Sequence, residues 1–291
     1  MYDRILVAVD GSEPANAAFD HALDVAADCD AEVRALYVAD TNRDSVTTVG
    51  TNVRDALEAE GEDVIEGARE RAAVRDVDFE GEVVQGEPGE SILEAADVRD
   101  ADLVAMGTSG KGGIRRFLLC SVAEHVVRRA EVPVLTVRAD EEVRVEYPYD
   151  SILVPTDGSE HASRAMERAV DLARRHDATL HVLSVVDVMA VGVDVRADLM
   201  IDQLEERAHE AVEDAGAEAG EAGVDVVTDT IVGSIPREIR SYAEDEEIDL
   251  LAMGTHGRRG VDRVLLGSVT ERVLRTAPAP VLTVRGRDEG E

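Results

Sequence analysis

Two kinds of hydrophobic pattern alternate along this chain. Short runs of branched aliphatic residues, such as Ile5-Leu6-Val7 and Ile152-Leu153-Val154, are separated by longer stretches in which apolar residues return every three or four positions. The first kind reads as strands buried on both faces and the second as amphipathic helices, and their alternation predicts βαβ units around a parallel sheet. In the first half the expected strands are Arg4–Val9, Glu32–Val38, Phe79–Gln85, Leu103–Met106 and Val134–Val137. In the second half they are Ser151–Thr156, Thr179–Val185, Val224–Val232, Leu250–Met253 and Val281–Val284. Between them, Ala162, Ala165, Ala169, Leu172 and Ala173 share one helical face, which is expected to pack on the sheet. The expected class is α/β: two tandem Rossmann-like domains, each a five-stranded parallel sheet flanked by helices.

The halves are copies of each other. Tyr2-Asp3-Arg4-Ile5-Leu6-Val7 returns as Tyr149-Asp150-Ser151-Ile152-Leu153-Val154, at an offset of 147. The same offset carries Asp10-Gly11-Ser12-Glu13 onto Asp157-Gly158-Ser159-Glu160, Met106-Gly107-Thr108 onto Met253-Gly254-Thr255, and Pro133–Arg138 onto Pro280–Arg285. One register held at both ends implies a duplication without net insertion. The expected boundaries are 1–138 for the first domain, 139–148 for a linker, 149–286 for the second domain and 287–291 for an acidic tail. Asp140, Glu141, Glu142 and Glu146 give segment 139–148 no apolar periodicity, which reads as a linker; an edge strand through Val143 and Val145 is the alternative.

Charge changes the picture of possible partners. Asp and Glu number 63 against 30 Lys and Arg, a formal net charge of -33, and Lys111 is the only lysine. Such a surface repels polyanions, and no run of arginines supplies the basic patch that a nucleic-acid backbone requires. The acids are interleaved with apolar residues at helical spacing in Asp55–Arg71 and Asp198–Glu213, so they coat helices. The composition resembles that of haloarchaeal cytoplasmic proteins, for which molar salt shortens the screening length to about 3 Å. No stretch approaches the ~18–20 apolar residues of a bilayer span, and the N-terminus lacks the pattern of a signal peptide, so a cytoplasmic location is expected. Cys29 and Cys120 fit neither a disulfide framework nor a zinc site.

In an open parallel sheet ligands sit beyond the carboxyl ends of the strands, which directs attention to the residues just after them. Asp10 and Asp157 follow the first strand of each copy. The Gly-Ser-Glu after them reads as a helix start, whereas the aspartate has two open readings, an acceptor for ribose or base and a plain turn residue. After the fourth strand the second copy reads Gly254-Thr255-His256-Gly257, then nine residues, then Gly267-Ser268 at a helix start. Glycines let phosphate oxygens approach backbone amides, and a helix N-terminus adds about half a positive charge. Arg258 and Arg259 could add charge-assisted bonds. An ordinary strand-to-helix turn is the bland alternative. The spacing matches neither the P-loop nor the dinucleotide fingerprint.

These residues resemble the universal stress protein family, whose ATP-binding members carry Gly, two residues, Gly, nine residues, Gly and Ser or Thr. Gly254, Gly257, Gly267 and Ser268 match that pattern, and the resemblance runs through both copies, including the segments VPTDGSE, HVLSVVD, VGSIPREI and PVLTVR. It implies a Rossmann-like fold of the adenine nucleotide alpha hydrolase type. By position it implies that Asp157 and the backbone of Val185 hold adenine and ribose, and that Pro155, Thr156 and Met253 line the pocket. Gly254, Gly257, Arg258, Gly267, Ser268 and Val269 would hold phosphates. The implied ligand is ATP, with AMP or ADP as alternatives, and Mg2+ would arrive with the nucleotide; no catalytic residue and no protein metal site are implied.

The first copy departs from the pattern. Ala8, Val9, Asp10, Val38 and Met106 correspond to the base side, and Gly107, Gly110, Lys111, Ser121 and Val122 to the phosphate side, but Cys120 replaces the last glycine. A negative φ at Cys120 would leave its amide able to donate, whereas a positive one would be strained. Weaker nucleotide binding is expected there. A redox thiol activated by the helix N-terminus is the other reading of Cys120. Of the histidines, His256 alone lies in the phosphate loop; His21, His125, His161, His176, His181 and His209 read as surface or packing residues. Three functions remain: a non-metabolic adenine-nucleotide-binding stress protein, a slow ATPase on the same pocket, and a nucleotide-free scaffold. The last strands, Val134–Val137 and Val281–Val284, are edge candidates of the kind that pair domains in this family, which implies an internal pseudo-dimer and leaves a homodimer open.

Overall fold

The computed structural model describes residues 1–41, 46–49, 52–110, 119–140, 142–187, 197–257 and 266–286 of the chain. They form two compact units, Met1–Glu141 and Glu142–Glu291. The first contains β1 (Arg4–Ala8), α1 (Glu13–Cys29), β2 (Glu32–Asp40), β3 (Val46–Val49), β4 (Asn52–Asp55), α2 (Ala56–Val74), β5 (Phe79–Gly86), α3 (Pro88–Val98), β6 (Leu103–Gly107), α4 (Ser121–Arg129) and β7 (Val134–Val137). The second contains β8 (Ser151–Pro155), α5 (Glu160–His176), β9 (Thr179–Val186), α6 (Ala197–Glu221), β10 (Val226–Val232), α7 (Ile235–Asp245), β11 (Leu250–Gly254), α8 (Ser268–Thr276) and β12 (Val281–Val284).

Within the first unit the parallel strands run in the order β5-β2-β1-β6-β7, and within the second in the order β10-β9-β8-β11-β12. The chain moves outward through the first three strands and then returns to the other side of the first. This places a topological switch point between β1 and β6, and again between β8 and β11, where the connections leave opposite faces and open a crevice. The central strands β1, β6, β8 and β11 are continuous apolar runs because helices cover both faces, whereas the outer strands β5 and β10 carry exposed polar residues. Ile5, Val7, Ile152, Leu153 and Val154 are all fully buried, as are Ala165, Ala169 and Ala173 of the face expected on α5.

The same local devices recur in both units. Ser12 and Ser159 cap α1 and α5, each accepting the N–H three residues on at 3.3 Å. Asp102 accepts the N–H groups of Asp3 and Arg4, both at 2.9 Å, while Asp249 accepts those of Asp150 and Ser151 at 2.8 and 3.0 Å. A carboxylate ahead of the fourth strand thus fixes the start of the first.

Several expected edges shift. Val9 and Thr156 lie just beyond their strands, though their N–H groups still bond Leu36 and Leu183 carbonyls at 3.0 and 2.8 Å. β2 extends to Asp40 because β5 pairs with it as far as Gly86, and β10 starts at Val226 rather than Val224. The antiparallel pair β3 and β4 was not expected. Val143 and Val145 are not in a strand. Arg144 between them binds into the second unit: its N–H donates to Pro278 at 2.7 Å and its Nε lies 3.0 Å from the buried carboxylate of Asp249. Among the described residues no helix is long and apolar enough to cross a membrane.

Candidate functional site

Both switch points are built alike. After β8 the chain turns through Thr156-Asp157-Gly158, with Gly158 at φ 69°, a conformation that a residue without a Cβ adopts freely. Asp157 closes this turn locally, its Oδ1 accepting the Ser159 N–H at 3.0 Å. Its Oδ2 faces the opposite strand's loop: a Cβ added to Gly257 would lie 2.6 Å from it. The turn aspartate and the second glycine of the loop are therefore in contact, although 100 residues separate them in sequence. Asp10 and Gly110 repeat the arrangement at the same 2.6 Å, and Asp10 accepts the Ser12 N–H at 2.9 Å. The turn reading of the aspartate is thus met by Oδ1, while Oδ2 lies against the second loop glycine.

The first glycine of the loop has a different task. A Cβ on Gly254 would stand 2.6 Å from the Cβ and 2.8 Å from the carbonyl carbon of His161, in the first turn of α5. On Gly107 it would stand 2.7 Å from the Ala15 nitrogen and 2.8 Å from the Pro14 carbonyl carbon. Neither backbone can retreat, so these glycines let the helix start close over the strand end.

At the far end of the loop Gly267 has φ -59° and ψ 134° and donates its N–H to the Thr255 carbonyl at 3.1 Å. Its contribution to an anion site is the missing side chain and not its own amide. The first bond of α8 runs from Glu271 N–H to Gly267 C=O at 2.9 Å, which leaves Ser268, Val269 and Thr270 as the amides ahead of the ladder. No side chain caps them from Gly267. Ser268 is exposed and Val269 half-buried, whereas Thr270 is 3% exposed, so it is the first two residues that bring the positive end of α8 to solvent.

The first unit differs here by the side chain of Cys120. Cys120 takes the same turn, with φ -70° and ψ 153°, and its N–H bonds the Thr108 carbonyl at 2.9 Å. The negative φ removes any strain, yet the amide is already engaged. Its Sγ then accepts the Ala123 N–H at 3.3 Å, at the position matching Thr270. A thiol stands at the helix start that Gly267 leaves uncapped. Burial raises the Cys120 thiol above its ordinary pKa, outweighing the neighbouring amides, and Asp10 adds to the rise. This opposes the activated-thiol reading, which requires a depressed value.

The remaining expected residues surround these groups. Pro155, Thr156 and Val185 are half-buried at the ends of β8 and β9, as are Ala8 and Val38 at the ends of β1 and β2. Met253 and Met106 are 5% and 4% exposed beneath the loops, and Val9 is likewise buried. Gly107 is buried, while Ser121 is exposed and Val122 half-buried at the start of α4. Arg258, Arg259 and Lys111 lie outside the described residues. A cavity of about 270 Å³ opens beside the β8 tip, lined by Thr156, Gly158, Ser163 and Met166 on one side and by Arg207 and Asp214 of α6 on the other. Among the described residues no group of three or more His, Cys, Asp or Glu side chains converges as a metal site.

One contact was not legible in the sequence. His161, expected to be a surface or packing residue, lies with its ring centroid 5.3 Å from that of His256. Its Nδ1 accepts the Gly286 N–H at 2.7 Å, and His256 Nδ1 is 3.1 Å from Thr255 Oγ1. Burial first and then His256 lower the His161 pKa, with Arg285 adding less, and Glu160 and Asp157 oppose them.

Residues 1–138 and 148–285 each match the profile of the Universal stress protein family. Universal stress protein MJ0531 of Methanocaldococcus jannaschii is 39% identical over 140 residues, which is 47% of this chain and 82% of that protein. Universal stress protein Rv2005c of Mycobacterium tuberculosis is 30% identical over 237 residues, 78% of each. The crystal structure of a universal stress protein from Archaeoglobus fulgidus superposes with a TM-score of 0.71 at 25% identity, over 99% of this chain and 97% of that one.

Proposed function

Because the chain belongs to the universal stress protein family, we propose that it is a cytoplasmic, non-metabolic adenine-nucleotide-binding protein whose second copy is the competent site. The observation that carries this is the uncapped start of α8, where the Ser268, Val269 and Thr270 amides precede the first helical bond behind a glycine, together with the Asp157 carboxylate at Gly257. Polyphosphate is the ligand class suited to the first feature, and a ribose or base hydroxyl or amine to the second. Each amide bond to a charged phosphate is worth about 1.5–3 kcal/mol. In the first copy the Cys120 thiol competes for the same donors, which makes that site the weaker one. The nucleotide proposed is ATP, on the Gly-x2-Gly-x9-Gly-Ser spacing of Gly254, Gly257, Gly267 and Ser268, and Mg2+ would be carried by it.

Occupancy then acts through stability. A ligand present at 100 times its Kd stabilises the folded state by about 2.7 kcal/mol, and this is a signal that a partner can read. To test the reading, purified protein is extracted with acid, the supernatant is resolved by ion exchange, and phosphate release is followed with magnesium. Bound ATP without turnover supports the proposal. Turnover would make the protein an ATPase, and empty protein whose melting temperature ignores added ATP would make it a scaffold. Self-association through the last strands is checked separately by sedimentation in molar salt.

A further inference from the structure

The imidazole pair belongs to the second copy alone. At the same positions the first copy has Pro14 and Ser109. His161 projects from the first turn of α5, whose backbone is packed on Gly254, and His256 sits inside the loop between Gly254 and Gly257. A Cβ on Gly267 would lie 3.5 Å from the His256 Cα, which puts the loop histidine beside the start of α8, with the His161 ring against it. His161 Nδ1 accepts a backbone N–H from Gly286, so its neutral ring carries the proton on Nε2. Protonating Nδ1 would turn that hydrogen bond into an N–H facing an N–H. A charge on His256, its ring 5.3 Å away, also opposes a charge on His161.

We propose that His161 and His256 couple polyphosphate binding in the second copy to proton uptake, so that this copy holds a nucleoside triphosphate more tightly as the pH falls. The inference rests on the nucleotide reading above. Without ligand the charged form of His161 is disfavoured by burial, His256 and Arg285; Glu160 on α5 and Asp157 after β8 favour it. Mg·ATP brings a net charge of about -2 to the loop and shifts the balance, since anions near an imidazole favour its charged form. The sign follows directly. The bound state has the higher His161 pKa, so affinity rises as pH drops through the imidazole range and levels off below the pKa of ligand-free His161. Each unit by which the phosphates raise that pKa strengthens binding about tenfold. Two further consequences separate this from plain electrostatics. The effect requires the polyphosphate, so AMP should show much less of it, and the first copy has no share in it.

Isothermal titration of the full chain with Mg·ATP at pH 8.0 and 5.5, in molar KCl, tests the coupling. The expected result is at least a tenfold tightening at the lower pH, with net proton uptake seen as a dependence on buffer ionisation heat. In the H161N/H256N double variant the pH dependence should shrink to that of ATP itself. Asparagine at 161 retains an acceptor for the Gly286 N–H, and a proton NMR titration of the unmodified protein, with and without ATP, gives the same answer without any substitution. An imidazole resonance whose midpoint moves up on ATP addition supports the proposal. Equal pH dependence in parent and variant, or imidazole midpoints that ignore ATP, would overturn it while leaving nucleotide binding intact. Absence of any binding heat at either pH would instead remove the nucleotide reading, and this inference with it.

Discussion

Replacing Gly267 by cysteine copies the first unit's cap into the second. The backbone accepts the change, because Gly267 lies at φ -59° and ψ 134° while Cys120 already occupies the matching turn at φ -70° and ψ 153°. The new Cβ would meet the Thr255 carbonyl oxygen at 3.0 Å, a contact relieved by a few tenths of an ångström. Sulfur would then cap the Thr270 N–H as Cys120 caps Ala123 at 3.3 Å. A modest gain from the cap offsets a modest loss from the contact, so stability should change by no more than about 1 kcal/mol. Binding should change far more. Diverting one charge-assisted amide bond removes about 1.5–3 kcal/mol, which is roughly a 10- to 150-fold loss of ATP affinity. Isothermal titration gives the affinity and urea unfolding the stability. The reverse change, Cys120→Gly, should create or strengthen a site in the first unit. A Gly267→Cys protein that folds normally and binds ATP like its parent would refute the reasoning.

Three other outcomes follow from the same structure. With a formal charge of -33, the chain should lose its cooperative far-UV circular-dichroism melt on transfer from 3 M to 0.1 M KCl; identical melts would remove the salt-dependence argument. His21 is buried and its pKa is lowered to about 4 from 6.5, chiefly by desolvation against a smaller opposing effect of Asp24. The unfolded chain therefore binds the extra proton first, and stability falls as pH drops from about 6.5 to about 4, by roughly 3 kcal/mol in total; a His21→Gln variant should show a correspondingly flatter profile in urea titrations over that window. Gly254→Ala should destabilise the chain by about 1–3 kcal/mol and weaken ATP binding, because its Cβ meets the backbone of His161 at 2.8 Å; an unchanged melting temperature would contradict this.

The core of each unit was legible because a parallel sheet covered on both faces imposes long apolar runs, and the duplication showed them twice. The glycine spacing located the loop for a related reason: Gly107 and Gly254 are required by backbones within 3 Å, a constraint that only residue identity reveals. What escaped was set by tertiary contact. β3 and β4 are four residues each and lack an apolar run, so nothing in their pattern opposed extending the region as helix or loop. His161 meets His256 only because α5 starts against the end of β11, and no local pattern encodes that approach. The engaged N–H of Gly267 was hidden too, since a conserved-looking glycine suggests a donor to phosphate when the structure spends the donor on Thr255.

The central claim is that one copy of two presents an uncapped helix start to phosphate. Equilibrium dialysis of the intact chain against labelled ATP and magnesium in molar KCl measures it most directly. One tight site per chain, weakened roughly 10- to 150-fold by Gly267→Cys, is the predicted result; two equivalent sites, or none, would contradict it.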